Sequence, residues 1–158
     1  MTQATAIKDN EELSSNTRDF LTVLINGQRF GIPVLQVQDV LSKQSVTNIP
    51  LAPPEVAGSL NLRGRIVTAI DVRKRLGLPP AEHGKSKDMS VVVEHHNELY
   101  SLVIDRVGDV MALKNEDFEN NPATLEASWR DVSMGIYRLE GELLVVLDVP
   151  ALLDMVGK

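Results

Sequence analysis

A chain of 158 residues with 43% hydrophobic content is long enough to bury a core as one domain or as two small ones. Its 16 basic and 22 acidic residues give a net charge of −6, which disfavours binding to nucleic acid or insertion into an anionic membrane. The absence of cysteine excludes disulfides and thiolate nucleophiles. No apolar stretch approaches the roughly 20 residues that cross a bilayer, and the start of the chain lacks a signal-peptide pattern, so we expect a cytoplasmic protein.

The beginning of the chain reads as a tail followed by a β-hairpin. Residues 1–19 are polar and lack apolar periodicity, which predicts a flexible tail. The apolar run 20–25 predicts a strand, the Asn-Gly pair at 26–27 is a strong hairpin signal, and 29–33 predicts the returning strand. Apolar residues at spacings of three and four then predict a helical turn that leads into another strand through about residue 46.

The stretch 58–76, GSLNLRGRIVTAIDVRKRL, predicts a strand, a tight turn, a second strand and a short helix. Gly64 occupies the position at which a two-residue hairpin turn requires a positive φ. The apolar run 66–70 is typical of a strand that is buried on both faces. Asp71 follows this run directly and is expected to cap the amino terminus of the helix.

The same unit recurs 77 residues later as GIYRLEGELLVVLDVPALL, at 135–153. Glycines, apolar positions and the capping aspartate, here Asp148, align between the copies, which predicts a duplicated module. The turns carry opposite charges: two arginines at 63 and 65 correspond to two glutamates at 140 and 142.

The first hairpin is repeated as well, at an offset of 70 residues, with matched pieces in the same order. The second copy therefore has seven extra residues between Met111 and Met134, in a segment that contains the only tryptophan, Trp129. Residues 79–88 are polar and rich in turn formers, and we expect a connector there. The fold class predicted is mainly β: two related small five-stranded barrels packed together, with short helices. Four apolar residues near the end are expected to cover the seam: Leu152, Leu153, Met155 and Val156.

Three segments together resemble the CheW family of chemotaxis coupling proteins: Val37-Gln38-Asp39, the run 58–67, and Asp71-Val72-Arg73. The resemblance implies a CheW-like domain at 20–153, made of two barrel subdomains at about 20–78 and 89–153 that are free to exchange strands. The predicted tail (1–19) and C-terminal end (154–158) flank this domain.

The resemblance also implies a function. Such proteins are non-catalytic adaptors that bind the cytoplasmic tips of chemoreceptors and the regulatory domain of the histidine kinase CheA, at membrane-associated receptor arrays. It implies no cofactor and no metal. The partner-binding positions carried over from the family are Val37, Asp39, Gly58, Arg63, Gly64, Ile66 and Val110. Asp39 departs from the family pattern, which more often has glutamate there.

The residues themselves leave alternatives open at these positions. Arg63 lies at a hairpin tip and is either a partner contact or a solubilising turn residue. A pairing with Asp39 would hold its guanidinium in one orientation. Val37, Ile66 and Val110 are either core residues or, if exposed, the apolar floor of a groove that receives a helix.

The sequence leaves two functions from other classes open. Asp71 and Asp148 predict an aspartate-dependent hydrolase if they converge, and helix caps if they do not. A deep cavity at the seam would instead indicate a small-ligand sensor. His95 and His96 are adjacent at a predicted strand end, where side chains point to opposite faces, so we expect no metal site there.

Overall fold

The computed structural model describes residues 16–42, 46–79 and 89–154. The strands are β1 (Thr17–Ile25), β2 (Gln28–Pro33), β3 (Val37–Leu41), β4 (Val56–Leu62), β5 (Arg65–Asp71), β6 (Met89–His95), β7 (Glu98–Ile104), β8 (Arg106–Lys114), β9 (Phe118–Glu119), β10 (Ser133–Leu139) and β11 (Glu142–Leu147). The helices are α1 (Val72–Arg75), α2 (Ala127–Arg130) and α3 (Val149–Asp154), and 3-10 turns span Val34–Gln36 and Asn115–Asp117. No helix in the described residues is both long and apolar enough to span a bilayer.

The strands form two sheets with the same internal order. One sheet runs β8-β1-β2-β11-β10-β9 and the other runs β3-β6-β7-β5-β4. The first sheet joins four strands of the second sequence copy to the first hairpin of the first copy, through the parallel pair β2–β11. The second sheet joins three strands of the first copy to the first hairpin of the second copy, through the parallel pair β5–β7. The predicted fold class, mainly β with two related barrel-like sheets, is confirmed.

In each sheet, the chain segment that follows one edge strand pairs with the strand near the opposite edge and so closes the sheet. The edge strand is β8 in the first sheet and β3 in the second. After β3, Thr47 exchanges two backbone hydrogen bonds with Ser59 of β4, at 2.7 and 2.8 Å. After β8, the short β9 pairs in the same way with Ile136 and Tyr137 of β10. The barrel-like closure is therefore built twice, and the seven extra residues of the second copy lie in the segment that contains β9 and α2.

One large hydrophobic cluster joins the two sheets. It contains Phe30 and Val145 from the first sheet and Ile70 and Leu102 from the second. Leu152 and Leu153 of α3 are buried in this same cluster. Two smaller clusters each belong to a single sheet. Since most of the core is shared, neither half of the sequence would bury its apolar surface alone.

An ion pair crosses between the copies beside this core. The guanidinium of Arg73 in α1 donates through Nε to Oδ1 of Asp105 at 2.7 Å and through Nη2 to Oδ2. The backbone N–H of Asn26 donates to Asp105 Oδ2 at 2.8 Å. Desolvation opposes ionisation of Asp105, but the hydrogen bonds from Arg73 and Asn26 outweigh it, so the pKa of Asp105 is lowered. The hydrogen bond to Asp105 raises the pKa of Arg73.

Several details differ from the sequence prediction. The first strand begins at Thr17, so Thr17–Asp19 are not part of a tail: their backbone pairs with β8, which does not require apolar side chains. Helix α3 includes Asp154, which was predicted to lie in the C-terminal end. The two hairpin turns were expected to be alike, but Arg63 has φ 52° whereas in the second copy only Gly141 of the turn pair takes a positive φ. The predictions for residues 1–15, 80–88 and 155–158 lie outside the described residues.

Candidate partner-binding surface

The β4–β5 turn is a rigid two-residue turn that projects Arg63 into solvent. Arg63 and Gly64 have φ angles of 52° and 86°, the pattern of a type I′ hairpin turn. The side-chain Oδ1 of Asn61 accepts a hydrogen bond from the backbone N–H of Gly64 at 3.0 Å, which fixes the turn from inside. The Arg63 side chain is 79% exposed. The turn therefore presents a cation on a backbone that has little freedom.

Asp39 of β3 orients this cation. Arg63 Nη2 lies 3.1 Å from Asp39 Oδ2, so the pairing expected from the sequence is present. The other oxygen, Oδ1, accepts from the backbone N–H of Val40 at 2.8 Å. Oδ2 is buried and has no well-aligned hydrogen-bond donor among the described residues, so the guanidinium approaches it as an ion rather than through a directed N–H. Most of the guanidinium remains available to another molecule.

Two apolar residues of the predicted set are exposed. Ile66 follows the turn on β5 and is 76% exposed, and Val110 on β8 is 57% exposed. Their interpretation as core residues is wrong, and the prediction that the run 66–70 is buried on both faces fails at Ile66. Beyond Ile66 both faces of the strand are buried: Val67 packs in the small cluster of its own sheet, whereas Ile70, on the opposite face, packs in the large shared cluster. Val37 is half-buried and packs against the large cluster, as a core residue would.

Gly58 is buried, so it shapes the surface rather than contacting a partner directly. A Cβ at this position would lie 2.5 Å from the carbonyl oxygen of Thr47 and 3.1 Å from the Cβ of Val46. Only a residue without a side chain allows the segment after β3 to pair closely with β4. A Cβ added at Gly135 of β10 would lie 2.5 Å from the carbonyl oxygen of Glu119. The same close approach therefore explains why both copies have glycine here.

Six of the seven predicted positions belong to one sheet and its β4–β5 turn, and one lies on the other sheet. Asp39, Arg63, Gly64 and Ile66 lie around the turn, with Arg63 linked directly to Asp39, while Val37 and Gly58 lie on β3 and β4 of the same sheet. Val110 lies on the other sheet, paired in register with Leu21.

The structure also exposes apolar residues that sequence reasoning missed. Leu35 in the first 3-10 turn and Leu51 in the loop before β4 are fully exposed. Leu35 lines an open cleft of about 400 Å³ between the start of β1 and the 3-10 turn. Leu51 has φ 62° and lies in the run Pro-Leu-Ala-Pro-Pro. The prolines around it indicate a loop, and an apolar residue in a loop is often exposed, so the sequence did contain a signal for this residue.

The two aspartates considered for catalysis act as helix caps. Asp71 Oδ1 accepts from the backbone N–H of Lys74 at 3.2 Å, and Asp148 Oδ1 accepts from the backbone N–H of Ala151 at 3.1 Å. Each carboxylate is occupied at the start of its own helix, as the capping interpretation predicts. This arrangement does not support an aspartate-dependent hydrolase.

Comparisons with known proteins agree with this architecture. The family model described as a CheW-like domain matches residues 19–157. The chain is 30% identical to the chemotaxis protein CheW of Bacillus subtilis over 85% of each chain, and 28% identical to that of Helicobacter pylori over 92% of this chain and 85% of the relative. Among solved structures, the scaffolding protein TtCheW from Thermoanaerobacter tengcongensis is similar with a TM-score of 0.77 and 26% identity, over 89% of this chain and 95% of that one.

These matches extend over nearly the whole described fold and include both sequence copies. The chain therefore belongs to the CheW family, whose members act in chemotaxis as non-catalytic scaffold proteins.

Proposed function

We propose that this chain couples the cytoplasmic tips of chemoreceptors to the regulatory domain of the histidine kinase CheA, at membrane-associated receptor arrays in the cytoplasm. The observation that carries the proposal is the pairing of an oriented, exposed cation with a neighbouring exposed apolar side chain, Arg63 with Ile66. No catalytic group is required, because an adaptor acts by holding its partners together.

The chemistry of the surface favours a helical partner with an apolar stripe and an acidic residue. Ile66 would bury its side chain against the stripe, and burying a residue of this size contributes about 1.5–3 kcal/mol. Arg63 would form a charge-assisted hydrogen bond to a carboxylate at the rim, and Asp39 would keep its guanidinium in place. The proposed set is completed by four residues. Three of them determine the shape of the surface around the turn: Val37, Gly58 and Gly64. The fourth, Val110, is an exposed apolar residue on the other sheet.

The mechanism proposed is geometric. When two weak interfaces on one rigid protein engage a receptor and a kinase, the contact between those partners becomes effectively intramolecular. The duplicated fold supports this role, because it offers related but differently charged surfaces on its two sheets.

Direct binding assays with a purified receptor cytoplasmic fragment and purified CheA test the proposal. We expect Arg63→Glu to weaken binding to one of these partners by at least tenfold, since a reversed charge repels the carboxylate that the arginine would meet. The matched control is Arg138→Glu on β10, because Arg138 is also exposed and forms an ion pair, with Glu119 at 2.9 Å. Equal affinities for wild type and Arg63→Glu would contradict the assignment of this surface.

A second pair of variants tests the apolar contribution. Ile66→Ser is expected to weaken the same interaction by roughly tenfold. Met134→Ser, which removes another exposed apolar side chain from β10, is the control and is expected to leave binding unchanged.

The two turns carry opposite charges, arginines at 63 and 65 and glutamates at 140 and 142. We propose in addition that this difference prevents the receptor and the kinase from binding to each other's surface. Glu142 is already paired with Arg29, so Glu140 is the residue whose reversal changes the surface with least effect on the fold. We expect Glu140→Arg to alter at least one pairwise affinity. Unchanged affinities for both partners would remove this idea and leave the adaptor role intact.

A further inference from the structure

Two histidines and an aspartate converge at the end of the β6–β7 hairpin, away from the β4–β5 turn. His95 is the last residue of β6, and His96 and Asn97 form the turn with φ angles of 52° and 64°. The prediction that adjacent histidines point to opposite faces is wrong here. The pleat ends at His95, and the left-handed conformation of His96 brings the two rings to a centroid distance of 3.9 Å.

Both rings point a nitrogen at the same carboxylate. Asp154 Oδ1, at the end of α3, lies 2.8 Å from His95 Nε2 and 3.8 Å from His96 Nε2. The three ligand atoms all lie within 4.8 Å of one another. In a tetrahedral zinc site, bonds of about 2.0–2.1 Å separate neighbouring ligand atoms by roughly 3.3 Å. The observed separations lie on either side of that value, so small side-chain rotations would admit one ion.

The donor set selects the kind of ion. Two imidazole nitrogens with one carboxylate suit zinc and similar transition metals, whereas magnesium and calcium prefer oxygen ligands alone. His95 is 12% exposed and is held by its surroundings, while His96 is 77% exposed and leaves an approach from solvent. Three protein ligands leave a fourth position for water.

The duplication provides an internal comparison. In the first copy, Ile25 and Asn26 correspond to the two histidines, and Gly77 corresponds to Asp154. That copy forms the equivalent hairpin turn, with Asn26 at φ 53°, without any such cluster. The cluster is therefore not needed to build the turn, and it is specific to the second copy.

We propose that His95, His96 and Asp154 bind one Zn²⁺-class transition-metal ion that links the β6–β7 hairpin to the end of α3. The hairpin belongs to the β3-β6-β7-β5-β4 sheet, whereas α3 follows β11 of the other sheet. The ion would thus fasten the two sheets to each other beside the shared core. Because it binds the folded chain in preference to the unfolded one, it also raises the thermal midpoint.

Calorimetric titration of the full-length, tag-free protein with ZnCl₂ tests this site, with thermal melts in parallel. The diagnostic variant is His96→Asn, since asparagine tolerates the positive φ and preserves the turn. The control is Glu94→Gln, which removes an exposed carboxylate from the same hairpin. MgCl₂ serves as the hard-cation control.

We expect one zinc ion per chain for the wild type and for Glu94→Gln, and at least tenfold weaker binding for His96→Asn, because loss of a direct ligand exceeds the typical 10–100-fold effect of a supporting residue. The thermal midpoint should rise with zinc in the wild type and not in His96→Asn. No binding by the wild type, equal binding by His96→Asn, or equal binding of magnesium would each overturn the proposal.

Discussion

The ion pair between Arg73 and Asp105 gives a sharp test of how the two sequence copies are held together. Both side chains are mostly buried, with exposures of 15% and 19%. Asp105→Asn keeps the size of the side chain but removes its charge. Arg73 then retains a largely buried positive charge without its counter-ion, and the hydrogen bond from the backbone N–H of Asn26 becomes weaker.

The expected loss of stability follows from these contacts. A hydrogen bond to a charged group contributes about 1.5–3 kcal/mol, and breaking a fully buried ion pair costs about 3–5 kcal/mol. Since both groups keep some access to water, we expect a loss of about 3 kcal/mol, at the lower end of the second range. For a domain of this size, that corresponds to a decrease of about 6–12 °C in the thermal midpoint.

Denaturant unfolding followed by circular dichroism measures this change. The control is Asp109→Asn on β8, an exposed carboxylate whose loss should alter stability by less than about 0.5 kcal/mol. Replacing both partners with apolar residues, Arg73→Met with Asp105→Leu, should be less destabilising than Asp105→Asn alone, because no unpaired charge remains.

The pH dependence provides a second readout with a definite sign. The pKa of Asp105 is lowered from its ordinary value of 3.8, so the stabilisation is fully present above that value and is lost as the pH falls through the folded-state pKa. The stability difference between wild type and Asp105→Asn should therefore be largest near neutral pH and should shrink below about pH 4. A difference smaller than about 0.5 kcal/mol at neutral pH, or one that grows in acid, would refute this reasoning.

Two further predictions concern the duplicated unit. Gly58→Ala should destabilise the protein by about 2 kcal/mol or more, because the added Cβ would lie 2.5 Å from the carbonyl oxygen of Thr47. Gly64→Ala should cost only the strain of a positive φ, about 1 kcal/mol, because a Cβ there meets open space. Equal effects of the two substitutions in thermal unfolding would contradict the packing argument. Asp71→Ala and Asp148→Ala should each cost about 1 kcal/mol through loss of a helix cap, and a denaturant midpoint unchanged by either would show that the cap contributes nothing.

The sequence predicts the local parts of the fold because their signals are local. Glycine in the turn at 64 and aspartate at 71 specify a hairpin and a helix start through their own backbone preferences, and their recurrence 77 residues later identifies the duplication. The exchange of hairpins between sheets has no comparable signal. Apolar alternation indicates which face of a strand is buried, but not which other strand lies beside it.

The candidate surface was predicted in part for the same reason. The exposure of Arg63 follows from its position at a turn, and its pairing with Asp39 was anticipated from charge. The sequence leaves Ile66 open between core and surface, because an apolar run does not reveal the residue at which burial begins. The convergence of His95 and His96 was missed because it depends on the backbone conformation of one turn residue.

We propose that this chain recruits CheA to receptors through the surface around Arg63 and does so without catalysis. Co-sedimentation of CheA with receptor-containing vesicles, in the presence of wild type or Arg63→Glu, tests it most directly. Wild type should carry CheA into the pellet, and Arg63→Glu should fail to do so while unfolding at nearly the same temperature, since an exposed ion pair contributes at most about 1 kcal/mol. Failure of the wild type to recruit CheA, or equal recruitment by Arg63→Glu, would contradict the account.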